Sequence, residues 1–263
     1  MSLPRKAILA EMGLSPVWVR RDEPGVARRE DEPTSSPATK DIDIAAPAVR
    51  PAAPPEERAG TRESGDRAAQ IARMGWEELR RTILDCRACG LCANRKQAVP
   101  GVGDENAAWL FIGEGPGAEE DARGEPFVGQ AGRLLDAMLA AIGLKRGEDV
   151  YIANAVKCRP PGNRTPENAE MAACFPYLQR QIALIRPRLI VLLGRAAVNA
   201  VLGQEGSLSS LRGKTLAYRD GDREIPVLVT YHPAYLLRNL PDKAKAWEDL
   251  CRARALMRGL NAR

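Results

Sequence analysis

Four short apolar runs, each typical of a buried strand, alternate along the chain with segments of helical periodicity. The strand-like runs cover residues 109–113, 150–156, 189–193 and 227–231, with a shorter candidate at 214–218. The helical segments cover residues 130–142, 166–185, 195–202 and 241–260. This alternation predicts an α/β fold with three α/β/α layers and a mostly parallel central sheet.

A loop rich in glycine follows the first strand-like run. It reads Gly113-Glu114-Gly115-Pro116-Gly117-Ala118-Glu119-Glu120. Glycines at such a place let the backbone approach a ligand closely or turn with positive φ. Because the loop lies between the carboxyl end of a strand and a helix, it stands where α/β folds keep their ligands.

Two further polar residues, Asn154 and His232, stand at the ends of predicted strands. A carboxamide carries both a donor and an acceptor and can read the edge of a base, although Asn also caps turns. A lone histidine is usually structural, but this one would lie level with the glycine loop and face a ligand there. Phe127, in a loop of glycine and proline, is either a core residue or a stacking platform.

Charge divides the chain in two. Residues 1–66 carry a net charge of −2 and nine of the 20 prolines, whereas residues 67–263 carry +7. The first segment buries too little apolar surface to offset its ordering entropy, which predicts a disordered extension before a folded domain at 67–263. A basic domain suits a polyanion such as nucleic acid, although many soluble proteins are mildly basic.

The length of the apolar runs predicts where in the cell the protein is found. No segment has the roughly 18 consecutive apolar residues of a membrane span, and the first apolar run is too short for a signal peptide. We therefore expect a cytoplasmic protein without membrane contact.

Residues 1–18 have a pattern typical of a marginal helix; the alternative is a docking peptide for an unknown protein partner. A longer helix is predicted from about residue 67 to 84.

The chain has six cysteines: Cys86, Cys89, Cys92, Cys158, Cys174 and Cys251. Cys86-x-x-Cys89 follows a predicted helix, and Cys158 and Cys174 flank a proline-rich loop. Four thiolates from two segments can close a tetrahedral site, and both a [4Fe–4S] cluster and a structural zinc fit. Cys92 adds a third possibility, a ferredoxin-type triple with the first pair, and buried free thiols are the alternative to any metal.

Taken together, four motifs carry a resemblance to a known family. They are Gly113-Glu114-Gly115-Pro116-Gly117 through Glu120, Gly124-Glu125-Pro126-Phe127-Val128-Gly129, Asn154-x-x-x-Cys158-Arg159-Pro160-Pro161, and His232-Pro233-Ala234-Tyr235-Leu236-Leu237-Arg238. In this order and spacing they resemble the family 4 uracil-DNA glycosylases, the iron–sulfur members of the uracil-DNA glycosylase superfamily. The resemblance covers about residues 84–260.

The resemblance implies a base-excision-repair hydrolase that acts on uracil-containing DNA. Such an enzyme hydrolyses the N-glycosidic bond of a flipped-out deoxyuridine, releases uracil and leaves an abasic site. We also expect a monomer that associates with the nucleoid through this function. The resemblance implies a [4Fe–4S] cluster held by Cys86, Cys89, Cys158 and Cys174, with Cys92 as a non-ligand.

The same resemblance implies a uracil pocket lined by Glu114, Gly115, Phe127, Asn154 and His232. We expect Glu114 to stabilise the positive charge of the sugar and position water, and His232 to stabilise the uracil anion. Rejection of thymine must be steric, and Glu120 is the candidate wall.

DNA contacts are predicted from two segments. Lys157, Arg159 and Arg164 lie near the cysteines, where their charges suit phosphates. Residues 233–238 have the pattern of a wedge: Tyr235, Leu236 or Leu237 would fill the hole left by the flipped base, and Arg238 would hold a phosphate. Adjacent helical residues point different ways, so one of the two leucines must belong to the core.

Two alternatives stay open. An iron–sulfur protein could bind or trap uracil sites in DNA without turnover, as a related group does through a histidine in an added basic loop. Residues 127–132 contain no such insertion and no histidine, which favours turnover. The more distant alternative is a nucleotide-binding module stabilised by zinc.

Overall fold

The structure, a computed structural model, describes residues 60–204 and 206–262. The helices are α1 (Gly60–Ile71), α2 (Trp76–Leu84), α3 (Ala118–Arg123), α4 (Gln130–Ala141), α5 (Asn168–Ile185), α6 (Arg195–Leu202), α7 (Leu208–Leu211), α8 (Pro233–Arg238) and α9 (Lys243–Asn261). The strands are β1 (Val102–Gly103), β2 (Trp109–Gly113), β3 (Val150–Asn154), β4 (Leu189–Leu193), β5 (Leu216–Asp220) and β6 (Arg223–Thr230).

The strands form one sheet in the order β1-β3-β2-β4-β6-β5. The four central strands run parallel, and β1 and β5 pair antiparallel at the two edges. The register sets Gly113 opposite Asn154 and Leu193 opposite Thr230. The carboxyl ends of the central strands therefore meet at one edge, and the predicted α/β class with a mostly parallel sheet is confirmed.

Each face of the sheet is covered by helices, as parallel sheets require. Every residue of β2, β3 and β4 is buried. On one face, apolar residues of these strands pack with α4, α8 and α9, and on the other face with α5 and α6. A third cluster packs α1 and α2 against α5 beside the cysteine segments. None of the helices in residues 60–204 and 206–262 is long and apolar enough to cross a membrane.

The N-terminal part of the domain differs from the prediction. The single helix expected at 67–84 is two helices, because the chain leaves helical geometry before Gly75, which is extended at φ −78° and ψ 177°. Helix α1 begins at Gly60, and the domain boundary at residue 66 stays a prediction. The predicted docking peptide and most of the predicted disordered extension lie in residues 1–59, which are outside the described residues.

Candidate active site

A cleft of about 710 Å³ opens at the carboxyl edge of the sheet. Its lining includes all five residues predicted for the uracil pocket: Glu114, Gly115, Phe127, Asn154 and His232. These residues come from four separate segments, and the parallel register of β2, β3 and β6 brings the segments together.

Asn154 is the last residue of β3 and only 2% exposed. Its side-chain oxygen Oδ1 finds no hydrogen-bond donor among the described residues. A buried acceptor without a partner costs about 1–3 kcal/mol. The oxygen is therefore placed to accept a hydrogen bond from a ligand in the cleft that Asn154 lines.

Phe127 is both a core residue and a wall of the cleft. It is 5% exposed, and its ring packs in the cluster formed with α4 and α8. Its backbone is in the left-handed region at φ 55°, a conformation that costs energy unless its surroundings hold it. Arg146 holds it by donating to the carbonyl oxygens of Pro126 at 2.9 Å and Phe127 at 2.8 Å.

His232 stands two residues after the end of β6 at Thr230 and is half-buried. Its Nδ1 accepts a hydrogen bond from the backbone N–H of Ala234 at 3.2 Å, so the neutral ring carries its proton on Nε2. The ring lies 5.4 Å from that of Phe127, centroid to centroid. Burial, and next the charge of Arg238, lower the pKa of His232 to about 4. The imidazole is therefore neutral at pH 7.

The glycine loop is fixed by backbone and carboxylate contacts. The carbonyls of Gly113 and Glu114 accept from the N–H groups of Ala155 and Val156 at 2.9 and 3.2 Å, which holds Glu114 beside the end of β3. No donor among the described residues contacts the carboxylate of Glu114, so the group is available to a ligand.

Glu120, the candidate wall against thymine, has its carboxylate held by three backbone N–H groups. They belong to Gly117 at 3.1 Å, Val128 at 3.2 Å and Gly129 at 3.4 Å. The side chain therefore ties the glycine loop to the loop that carries Phe127. It also lines the cleft, where its carboxylate has a fixed position.

Five cysteines line a second, smaller cavity: Cys86, Cys89, Cys92, Cys158 and Cys174. Donors contact three of their sulfur atoms, as donors contact the ligands of metal sites. Arg95 donates to Cys158 Sγ at 2.9 Å, the backbone N–H of Lys157 to Cys174 Sγ at 3.3 Å, and Arg67 to Cys86 Sγ at 3.8 Å. These residues suit a negatively charged thiolate centre.

The donor set of this cavity is five thiols, which come from the segment after α2, from the loop after β3 and from α5. In the described residues, no three Cys, His, Asp or Glu side chains are grouped closely enough to hold a single metal ion. Thiolates are the ligands of iron–sulfur clusters and of structural zinc, so the chemistry of the donor set fits either group.

Comparison with known proteins identifies the family to which this chain is similar. The model of the uracil DNA glycosylase superfamily matches residues 100–251. A type-4 uracil-DNA glycosylase of Archaeoglobus fulgidus is 46% identical over 165 residues, which are 61% of this chain and 82% of the relative. The type-4 enzyme of Thermotoga maritima is 44% identical over 179 residues, 67% of this chain and 91% of the relative.

The chain is a type-4 member of the uracil-DNA glycosylase superfamily. Its likeness to a type-5 uracil-DNA glycosylase of Thermus thermophilus is lower, at 38% identity over 56% of this chain. The superfamily match contains Cys158 and Cys174 but begins after Cys86 and Cys89, so the first cysteine pair lies outside the matched residues.

Two predicted DNA contacts of this type-4 chain are wrong. Lys157 is 1% exposed and cannot reach a phosphate, because its ammonium points inward to Asn154 and Gln181. Leu236 is 1% exposed and packs in the core beside α4. Its neighbour Leu237 is 38% exposed, so of the two leucines only Leu237 is accessible for the predicted wedge.

The other predicted DNA contacts reach the surface to different extents. Arg164 and Arg238 are exposed and line the cleft, as does the half-buried Tyr235. Arg159 is half-buried and donates to Asn163 Oδ1 at 2.8 Å. Arg164 is bonded to Glu170 at 2.6 Å, so a phosphate would have to compete with that carboxylate.

Sequence reasoning missed other lining residues, including Ala131, Asn163, Thr165, Arg195, Ser209 and Tyr231. Arg195 could have been found, because it begins α6 just after β4, at the same edge of the sheet. Ser209 gave no such signal, since α7 is four residues long and has no apolar periodicity.

Proposed function

We propose that the chain excises uracil from DNA by hydrolysing the bond between uracil N1 and deoxyribose C1′, which releases uracil and leaves an abasic site. The observation that carries this proposal is the unpaired Oδ1 of Asn154 in a cleft shared with Phe127, His232 and Glu114. The target bond is buried in a duplex, so the nucleotide must first be flipped out, at a cost of a few kcal/mol.

Base recognition falls to Asn154 and Phe127. The Oδ1 of Asn154 accepts from uracil N3–H, its amide donates to O4, and the Phe127 ring stacks on the base. Cytosine presents the reverse pattern at these two positions. Binding it would leave buried polar groups unpaired, a penalty of about 1–3 kcal/mol. The fixed carboxylate of Glu120 supports a steric block against the methyl group of thymine.

Bond cleavage places negative charge on uracil and positive character on the sugar. The Nε2–H of His232 is available to donate to uracil O2, because Nδ1 already accepts from Ala234. A preorganised donor of this kind stabilises the leaving anion without reorganisation. The lowered pKa of His232 keeps the ring a neutral donor at working pH.

Glu114 acts on the other side of the bond. Its carboxylate, which has no protein donor among the described residues, stabilises the cation-like sugar and orients the attacking water. It lies nearer the end of β2 than Glu119 or Glu120, and Glu120 is already held by backbone N–H groups.

The cysteine site completes the proposal. Cys86, Cys89, Cys158 and Cys174 would hold a [4Fe–4S] cluster, which supplies a structural cross-link when bound and no redox step, since hydrolysis moves no electrons. The cluster would join the segment after α2 to the start of α5. Arg159, Arg164 and Arg238 would contact phosphates, and Leu237 would fill the hole left by the flipped base.

Multiple-turnover assay with a uracil-containing oligonucleotide tests this function. We expect free uracil in excess over protein and an abasic product strand. A stoichiometric protein–DNA adduct that survives denaturation would instead support a trapping protein. Visible absorbance with iron and sulfide in the purified protein is expected for the cluster, and zinc without iron would contradict it.

A further inference from the structure

Lys157 lines the cysteine cavity and contacts Asn154, which lines the cleft. Its backbone N–H donates to Cys174 Sγ at 3.3 Å, and the residue lines the cysteine cavity. Its ammonium Nζ donates to the main-chain oxygen of Asn154 at 3.0 Å and to Gln181 Oε1 at 2.6 Å. The same residue thus joins the cysteine site to the residue that faces the base.

The ammonium group has no acidic partner among the described residues. Its two acceptors are neutral oxygens, and no carboxylate in the described residues lies within ion-pair distance of it. A buried cation is costly unless an anion compensates it. Lys157 also lines the cysteine cavity. An iron–sulfur cluster bound there by thiolates would supply the compensating negative charge.

The position of the ammonium is fixed from the side of α5. Gln181, which accepts from Lys157, is fully buried and donates to the carbonyl oxygen of Pro100 at 2.8 Å. Lys157 therefore has one orientation, in which it caps the carbonyl at the very end of β3. A small movement there would displace the Asn154 side chain in the cleft.

We propose that Lys157 is a positioning residue that joins the cluster to the base-reading Asn154. Its ammonium acts as the buried counter-ion of the cluster and as the donor that fixes the end of β3. The inference rests on the proposed function, since it requires the cluster. Loading of the cluster then orders the uracil pocket through one side chain, although the cluster takes no part in the chemistry.

Three variants test the proposal. Lys157→Met removes the ammonium and keeps the unbranched stem. Gln181→Glu keeps an acceptor for Lys157 and adds a negative charge beside it. Lys214→Met removes an equal charge from an exposed site and is the matched control. For each we would measure iron per chain, the midpoint potential of the cluster, kcat/KM for uracil excision and the Kd for abasic-site DNA.

In Lys157→Met we expect a lower midpoint potential, because a cation that favours the reduced cluster is gone. We expect kcat/KM to fall about 10²-fold, the effect of displacing a recognition group by about 1 Å, with abasic-site Kd little changed. Gln181→Glu should lower the potential too but keep most of the excision rate, because Asn154 keeps its donor. Lys214→Met should change neither quantity.

Two results would each overturn the proposal: wild-type excision in folded, iron-loaded Lys157→Met, or an unchanged potential in Gln181→Glu. The second is decisive even where Lys157→Met does not fold. Wild-type protein is measured alongside. If wild type released no uracil or held no iron, the proposed function itself would fail, which is a different result from an active wild type with unaffected variants.

Discussion

The side-chain oxygen of Asn154 lies so close to Gly113 that a Cβ atom on Gly113 would stand 2.5 Å from it. The same Cβ would stand 2.6 Å from Cζ of Phe127. Only glycine therefore lets the amide and the ring meet at the floor of the cleft. This contact is the basis for the first prediction.

We expect Gly113→Ala to lower kcat/KM for uracil excision by about 10²-fold, because the added methyl group displaces Asn154 and Phe127 by a fraction of an ångström or more. Steady-state kinetics on a uracil oligonucleotide measures this. Gly259→Ala is a matched control for the substitution away from the cleft, since nothing lies within 4 Å of a Cβ there and its φ is not positive. Equal rates for Gly113→Ala and wild type would show that the floor of the cleft is not where uracil binds.

Glu114→Gln keeps the shape of the side chain and removes its charge. We expect the single-turnover excision rate to fall by about 10²–10⁴-fold, the range for loss of a group that acts on the reacting centre. Affinity for uracil-containing DNA should change little, since the carboxylate acts in the transition state. Binding measured by fluorescence anisotropy beside single-turnover rates separates the two, and a parallel loss of both would refute the role.

His232 is the only histidine of the chain, so its ring proton resonance in an untagged protein reports one pKa. We expect a value of about 4, because burial, and then Arg238, disfavour the imidazolium. Excision should accordingly show no loss on the acid side near pH 6.5 from this group. A titration midpoint near 6.5 in the folded protein would contradict the buried, neutral donor.

The same pKa has a consequence for stability, with a definite sign. The folded pKa lies below the unfolded value of 6.5, so the unfolded chain takes up a proton first as pH falls. His232 therefore lowers the stability of the fold progressively from about pH 6.5 to about pH 4, and has no such effect above that window. Thermal unfolding of His232→Gln over this range should be less dependent on pH than that of wild type.

Leu236 and Leu237 are neighbours on α8 with opposite environments. Leu236→Ala should lower the free energy of unfolding by about 2–5 kcal/mol, as for other large core truncations. Leu237→Ala should leave stability nearly unchanged and slow excision from double-stranded DNA more than from single-stranded DNA, because only a duplex leaves a hole to fill. An equal loss of rate on double-stranded and single-stranded DNA for Leu237→Ala, each relative to wild type, would exclude the wedge.

The sequence predicts the strands and the strand-end residues well, and the reason is periodicity. Residues 109–113 and 189–193 are continuous apolar runs, and the structure has strands with those same bounds. Asn154 and Glu114 could be located because parallel strands end at a common edge. The short helices α3 and α7 were not predicted, because four to six residues carry too few turns for a periodic pattern.

Side-chain direction is what the sequence could not supply. The charge of Lys157 suggested an exposed side chain at the DNA, but the side chain is buried. Hydrophobicity did not distinguish Leu236, which is in the core, from its neighbour Leu237, which is exposed. Burial of a lysine depends on acceptors distant in sequence, here Gln181. The tie made by Glu120 between two loops likewise depends on a turn geometry that no local pattern encodes.

The central claim is that Glu114, Phe127, Asn154 and His232 surround one extruded uracil. A crystal structure of the Glu114→Gln variant with uracil-containing duplex DNA tests it most directly. We predict a flipped uracil stacked on Phe127, with N3 within hydrogen-bond distance of Asn154 Oδ1 and O2 within reach of His232 Nε2. Uracil still stacked in the duplex, or bound away from Asn154, would contradict the account.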